Sequence, residues 1–182
     1  MTDMDDFWVF GYGSLMWRPG FAYAEAVRGR LFGFHRSLCI YSYVHRGTPE
    51  RPGLVLGLDR GGSCTGMVFR VNGRDHDSVM AALRERELVT NVYIERRLPV
   101  HLATGDRIVA VCYIADRQHQ QFAGSLRADD AARRVSVSRG QSGHNVDYVA
   151  STLTHLQDMK IRDHWLEDVA ERMSPPAGSA TG

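Results

Sequence analysis

Taken from its N-terminus, the chain offers strand-like apolar runs first and helix-like apolar spacing last. Residues 7–11 (FWVFG) join aromatic and β-branched side chains in a short run that stops at glycine, the composition of a buried strand closed by a turn. Stretches near 30–41, 53–58, 64–71, 93–101 and 106–115 have the same strand character. In the last of them, DRIVAVCYIA, both alternating sets of residues are apolar, which predicts a central strand covered on both faces. Tyr113 shares one set with Val109 and Val111, so its ring is expected in the core with only its hydroxyl needing a partner. Helical spacing predicts helices over 74–88, 127–139, 145–159 and 163–173. Val146, Val149, Leu153 and Leu156 mark one apolar face, and Trp165, Leu166, Val169 and Met173 another. Nothing resembling a linker or repeat interrupts this order, so residues 1–173 read as one domain. Residues 174–182 (SPPAGSATG), rich in Pro, Gly and Ser, are expected to form a disordered tail.

Composition changes this picture mainly by exclusion. Apolar residues at 43% and charged residues at 24% set aside both an intrinsically disordered chain and a membrane protein. Lys and Arg (22) balance Asp and Glu (21), so no strong field attracts a nucleic acid backbone, and a small molecule is the expected partner. Cys39, Cys64 and Cys112 are widely spaced without a CxxC, which argues against a disulfide framework or zinc knuckle and fits a reducing compartment. The eight histidines are scattered singly, so no metal centre and no cofactor are expected. The acidic N-terminus MTDMDDFW lacks a secretory pattern, and no apolar run approaches the length of a membrane span. A cytoplasmic location follows as the expectation, with no membrane association and no obligate protein partner evident.

Candidate chemistry gathers at three places. Gly11-Tyr12-Gly13-Ser14-Leu15 puts glycines at a strand end, where bare backbone lets amide groups approach a carboxylate or a developing oxyanion. The competing reading is a plain tight turn, and the motif lacks the spacing of a dinucleotide loop, a P-loop or a nucleophile elbow. Ser14 has no announced His and Asp partners, so it reads as a hydrogen-bonding residue rather than a nucleophile. In SVMAALRERELVTNVY, helical phase puts Glu87 about 40° from Leu83 and about 20° from Met80, on the apolar stripe, while Glu85 points away. A carboxylate held there has a raised pKa suited to proton transfer, unless the helix has already ended and Glu87 is solvated beside Arg86. Spacing does not separate the two. Arg46, followed by Gly47 and Thr48, is either a bidentate clamp for a substrate carboxylate or a surface turn residue.

Five segments in order, VFGYGSLMWRPGF, HRGTPERPGLVLGLD, RELVTNVY, VCYIAD and SGHNVDYVASTLTHLQDMKIRDHWLEDV, resemble the ChaC-like gamma-glutamylcyclotransferases over residues 7–169. The resemblance implies an α+β fold with a small mixed β-barrel and surrounding helices. It also implies glutathione as substrate, cleaved to 5-oxoproline and cysteinylglycine by attack of the substrate's own α-amine on its γ-carbonyl. Such chemistry uses no protein nucleophile and no metal. By resemblance Glu87 is the catalytic base, Gly11, Tyr12, Gly13, Ser14 and Leu15 hold the glutamyl group, and Arg46 and Tyr113 bind substrate. The chain departs from the pattern at Asn91-Val92, where Gly-Gly is expected before the tyrosine, and in the ADRQHQQFAG loop, which lacks an Asn-Pro. Two alternatives remain: a cyclotransferase acting on another γ-glutamyl amine or dipeptide, and a catalytically silent module that binds γ-glutamyl metabolites.

Overall fold

The computed structural model describes residues 5–88 and 91–174, and these group into two compact units. The first takes the residues up to Arg36 together with Leu58–Asp116; the second takes Ser37–Gly57 and the residues from Arg117 onward. The expected tail lies outside the described residues except for Ser174.

A closed barrel is formed by β1 (Phe7–Gly11), β2 (Glu25–Ser42), β3 (Gly53–Val71), β4 (Tyr93–Leu102) and β5 (Arg107–Ala115), in the order β1-β3-β2-β4-β5, and the first unit holds β1, β4, β5, β2 up to Arg36 and β3 from Leu58. β1 runs antiparallel to β3, with Gly11 opposite Met67, and parallel to β5, with Val9 opposite Val111. β4 and β5 pair antiparallel from Tyr93 opposite Ala115 to His101 opposite Arg107. β5 is therefore bonded along both edges, as its doubly apolar pattern requires. Its alternate residues feed two different clusters. Ala110 and Cys112 pack with Phe10, Leu31, Leu58, Val68 and Val100. Val111 and Tyr113 pack with Val9, Phe69 and residues Val79, Met80 and Leu83 of helix α1 (His76–Glu87). Burying Met80 and Leu83, both nearly inaccessible, stabilises the helix on the sheet by about 1.5–3 kcal/mol each. Val109, at the start of the strand, is 58% exposed, so the apolar pattern overstates burial there.

The two strands expected at 53–58 and 64–71 form one, β3. Gly61 and Gly62, between the two expected ranges, stand at φ of +102° and +66° within the continuous strand, a conformation glycine adopts without strain.

In the second unit, helices α2 (Ala128–Val137), α3 (Asn145–Asp158) and α4 (His164–Arg172) pack together, with a two-stranded ribbon of β6 (Arg139–Gly140) and β7 (Gly143–His144) before α3. The expected face of α3 is buried at Val146, Val149, Leu153 and Leu156; on α4, Leu166 and Val169 are buried while Trp165 is half-buried. Asp163 caps α4, its Oδ1 accepting the Leu166 N–H at 3.0 Å. Fully buried Asn145 pins the start of α3 to β3: Oδ1 accepts the Leu54 N–H at 2.8 Å and Nδ2 donates to the Leu54 carbonyl at 2.9 Å. Among the described residues, no helix is long and apolar enough to cross a membrane.

Candidate active site

β1 delivers the glycine turn. After Gly11 the chain passes into a single 3-10 turn, Ser14–Met16, closed by the Met16 N–H to the Gly13 carbonyl at 2.9 Å. At its start the N–H groups of Ser14 and Leu15 have no acceptor within the turn itself. Space at Gly11 is tight, since a Cβ there would stand 3.0 Å from Leu15 Cδ2 and 3.3 Å from the Met16 nitrogen. The facing Gly66 is required more strictly, because its Cβ would lie 2.2 Å from the Gly11 carbonyl oxygen. Buried Arg36 holds the turn from below: Nε donates to the Tyr12 carbonyl at 2.6 Å and Nη2 to the Thr65 carbonyl at 2.7 Å.

Glu87 is the last residue of α1, so the helix extends far enough to keep the predicted phase. Its side chain is 18% exposed while Glu85 is exposed, which decides between the two sequence readings in favour of the buried one. Burial raises the Glu87 pKa, and Arg86, whose Nε lies 3.7 Å from Oε1, opposes part of that rise. Arg86 has a second task. Its Nη2 donates to Ser14 Oγ at 2.8 Å and its Nη1 to the Arg18 carbonyl at 2.8 Å, tying the end of α1 to the glycine turn. The hydroxyl of Ser14 thus accepts from a cation.

Tyr113 is buried in the cluster that also holds Leu15 and Leu83, and its hydroxyl donates to Glu95 Oε1 at 2.9 Å. Burial, that hydrogen bond and the charges of Glu95 and Glu87 all hold the phenol well above the usual tyrosine range. Cys112, one of three buried free cysteines, is pushed up to about 12 by burial and by Cys64, so it stays an inert thiol. The structure therefore gathers Gly11 to Leu15, Glu87 and Tyr113 into the first unit. Arg46 belongs to the second unit, where its Nη1 donates to the His144 carbonyl at 3.1 Å and its guanidinium lies 5.6 Å from the centre of the Tyr148 ring. Among the described residues, no cluster of three or more His, Cys, Asp or Glu side chains is placed to hold a metal ion.

The first unit thus joins a glycine turn, a half-buried carboxylate at a helix end and a buried tyrosine on a barrel strand. The family model described as ChaC-like protein matches residues 7–174. The chain belongs to the ChaC-like family. It is 32% identical to the Escherichia coli glutathione-specific gamma-glutamylcyclotransferase over 89% of this chain and 70% of that protein. It is 34% identical to the protein of that name from Schizosaccharomyces pombe, over 90% of this chain and 91% of the other. A crystal structure of a yeast gamma-glutamyl cyclotransferase specific to glutathione superposes with a TM-score of 0.81 at 25% identity, covering 92% of this chain and 95% of that one. The α+β barrel expected from the sequence is thus the fold of this ChaC-like protein.

Sequence reasoning missed Arg36, Arg84, Arg86 and Glu95. Each acts through a partner far along the chain, 24 residues for Arg36 and Tyr12 and 72 for Arg86 and Ser14, and no spacing rule reports such a pair. The Asn91 departure has a physical explanation: its φ is +57°, a left-handed conformation that glycine favours and asparagine tolerates.

Proposed function

We propose that this ChaC-like protein is a glutathione-specific gamma-glutamylcyclotransferase, a lyase releasing 5-oxoproline and cysteinylglycine, and that it works in the cytoplasm. The observation that carries the reading is the Glu87 carboxylate. It is desolvated, raised in pKa and fastened through Arg86 to the glycine turn. The α-ammonium of a γ-glutamyl substrate gives a proton to Glu87, and the freed amine attacks the γ-carbonyl to close a five-membered ring. The C–N bond to cysteine then breaks as Glu87 returns that proton to the departing nitrogen, and the ring nitrogen gives up its second proton, which ends on the released amine as it becomes an ammonium. A base of ordinary carboxylate pKa would accept the ammonium proton poorly; desolvation narrows the gap.

Amides of the Tyr12-Gly13-Ser14-Leu15 segment suit the glutamyl carboxylate or the developing oxyanion, where preorganised donors are worth several kcal/mol. Tyr113 adds a polar group beside the apolar side chains of its cluster. Ring closure is intramolecular, so holding a bent conformer supplies much of the acceleration. Nothing in this scheme needs a metal or a cofactor.

Glu87→Gln keeps the shape and removes the proton acceptor. It is expected to lower kcat by about two to four orders of magnitude while glutathione binding, followed by calorimetry, is retained. Glu85→Gln on the exposed side of the same helix is expected to be unchanged. Loss of activity in Glu85→Gln with retention in Glu87→Gln would contradict the assignment.

A further inference from the structure

Strand β4 carries a carboxylate for which ring closure has no use. Glu95 stands directly opposite Tyr113 in the β4–β5 register. Its Oε1 accepts the Tyr113 hydroxyl at 2.9 Å and Arg84 Nε at 3.0 Å, and its Oε2 accepts Arg84 Nη2 at 3.1 Å. The Arg84 contact is a two-point fork, which fixes the plane of the carboxylate. Arg84 lies three residues before Glu87 on α1, so one side chain links the phenol on the barrel to the helical turn that ends in the base.

Hydrogen-bond polarity gives this link a consequence. An ionised carboxylate only accepts, and a phenol has a single proton. With that proton committed to Glu95, Tyr113 Oη offers a ligand nothing but lone pairs. It then suits an N–H donor and is poorly suited to a carbonyl oxygen or an oxyanion. In a γ-glutamyl substrate the α-amino group is such a donor, whereas the γ-carbonyl is not. The Glu87 charge is among the causes that raise the phenol's pKa, so the two groups lie within electrostatic reach of each other. Resting on the reading under Proposed function, we propose that Glu95 is a positioning residue: it fixes Tyr113 as a hydrogen-bond acceptor for the substrate's α-amino group and so helps aim the amine at the γ-carbonyl.

The test is a double-mutant cycle on glutathione turnover, read beside the ionisation of Tyr113 itself. Tyr113→Phe and Glu95→Ala are each expected to lower kcat/KM about tenfold, the value of one hydrogen bond of this kind. The double variant is expected to be no worse than Tyr113→Phe, because Glu95 acts only through the phenol. In parallel, NMR of carbon-labelled tyrosine is expected to show Tyr113 ionising at lower pH in Glu95→Gln than in the parent. Additive losses, a Glu95→Ala variant within about twofold of the parent, or an unmoved Tyr113 titration would each overturn the proposal. If the parent itself releases no 5-oxoproline, the functional reading fails separately, and with no cyclisation to position for, this proposal falls with it. The tyrosine titration then still reports whether the Glu95 hydrogen bond exists.

Discussion

Glu87, the proposed base, places a carboxylate where burial opposes its charge. Its position on the apolar stripe was legible from helical phase, because Met80 and Leu83 fix which side of α1 is covered. Its surroundings were not, since Arg86 reaches Ser14 only after the chain has closed on itself. Burial raises its pKa above the unfolded value, so between those two values the native state binds more protons than the unfolded chain. Stability contributed by this site therefore falls as pH rises through that interval and stays lower above it. Glu87→Gln is expected to melt at higher temperature than the parent at neutral pH. The two should converge below about pH 4, where the unfolded glutamate is also protonated. The same shift places the acid limb of kcat/KM above the ordinary glutamate range. Equal melting temperatures at neutral pH, together with an acid limb near the ordinary value, would contradict a desolvated base.

Among the elements, boundaries signalled by period and breaker residues were readable: α1, α3 and α4 begin and end within about two residues of their expected limits. β3 was misjudged for a definite reason. Paired glycines commonly mark a turn, but here the left-handed Gly61 and Gly62 bend a strand whose pairing continues. The 3-10 turn after Gly13 also went unforeseen, because three residues carry no periodic signal. Asn145 belongs to this scale, since it fastens a helix start to a strand. Asn145→Ala leaves both Leu54 backbone groups buried without their partner, and a loss of about 2–4 kcal/mol is expected. Urea unfolding is the check, with a lower midpoint and an unchanged slope predicted; a midpoint within error of the parent would mean that the Leu54 groups find other partners.

At the level of the whole molecule, the order of elements showed strands before helices and the family resemblance implied an α+β barrel, while the closure β1-β3-β2-β4-β5 depends on pairings between distant strands. The parallel β1–β5 pair brings Val9 beside Val111, and β5 carries Tyr113 two residues on. β1 ends at the glycine turn and α1 ends at Glu87. Topology, more than any single motif, puts the candidate base, turn and phenol on one barrel, and every role assigned to them assumes that the substrate cyclises. The direct test is incubation of the purified protein with glutathione and, separately, N-acetylglutathione, with mass detection of every product. Intramolecular attack predicts equimolar 5-oxoproline and cysteinylglycine from glutathione, and no cleavage of the acetylated compound, whose nitrogen has lost its nucleophilic lone pair. Release of free glutamate, or cleavage of N-acetylglutathione, would mean that water or a protein group attacks instead and would contradict the cyclotransferase chemistry.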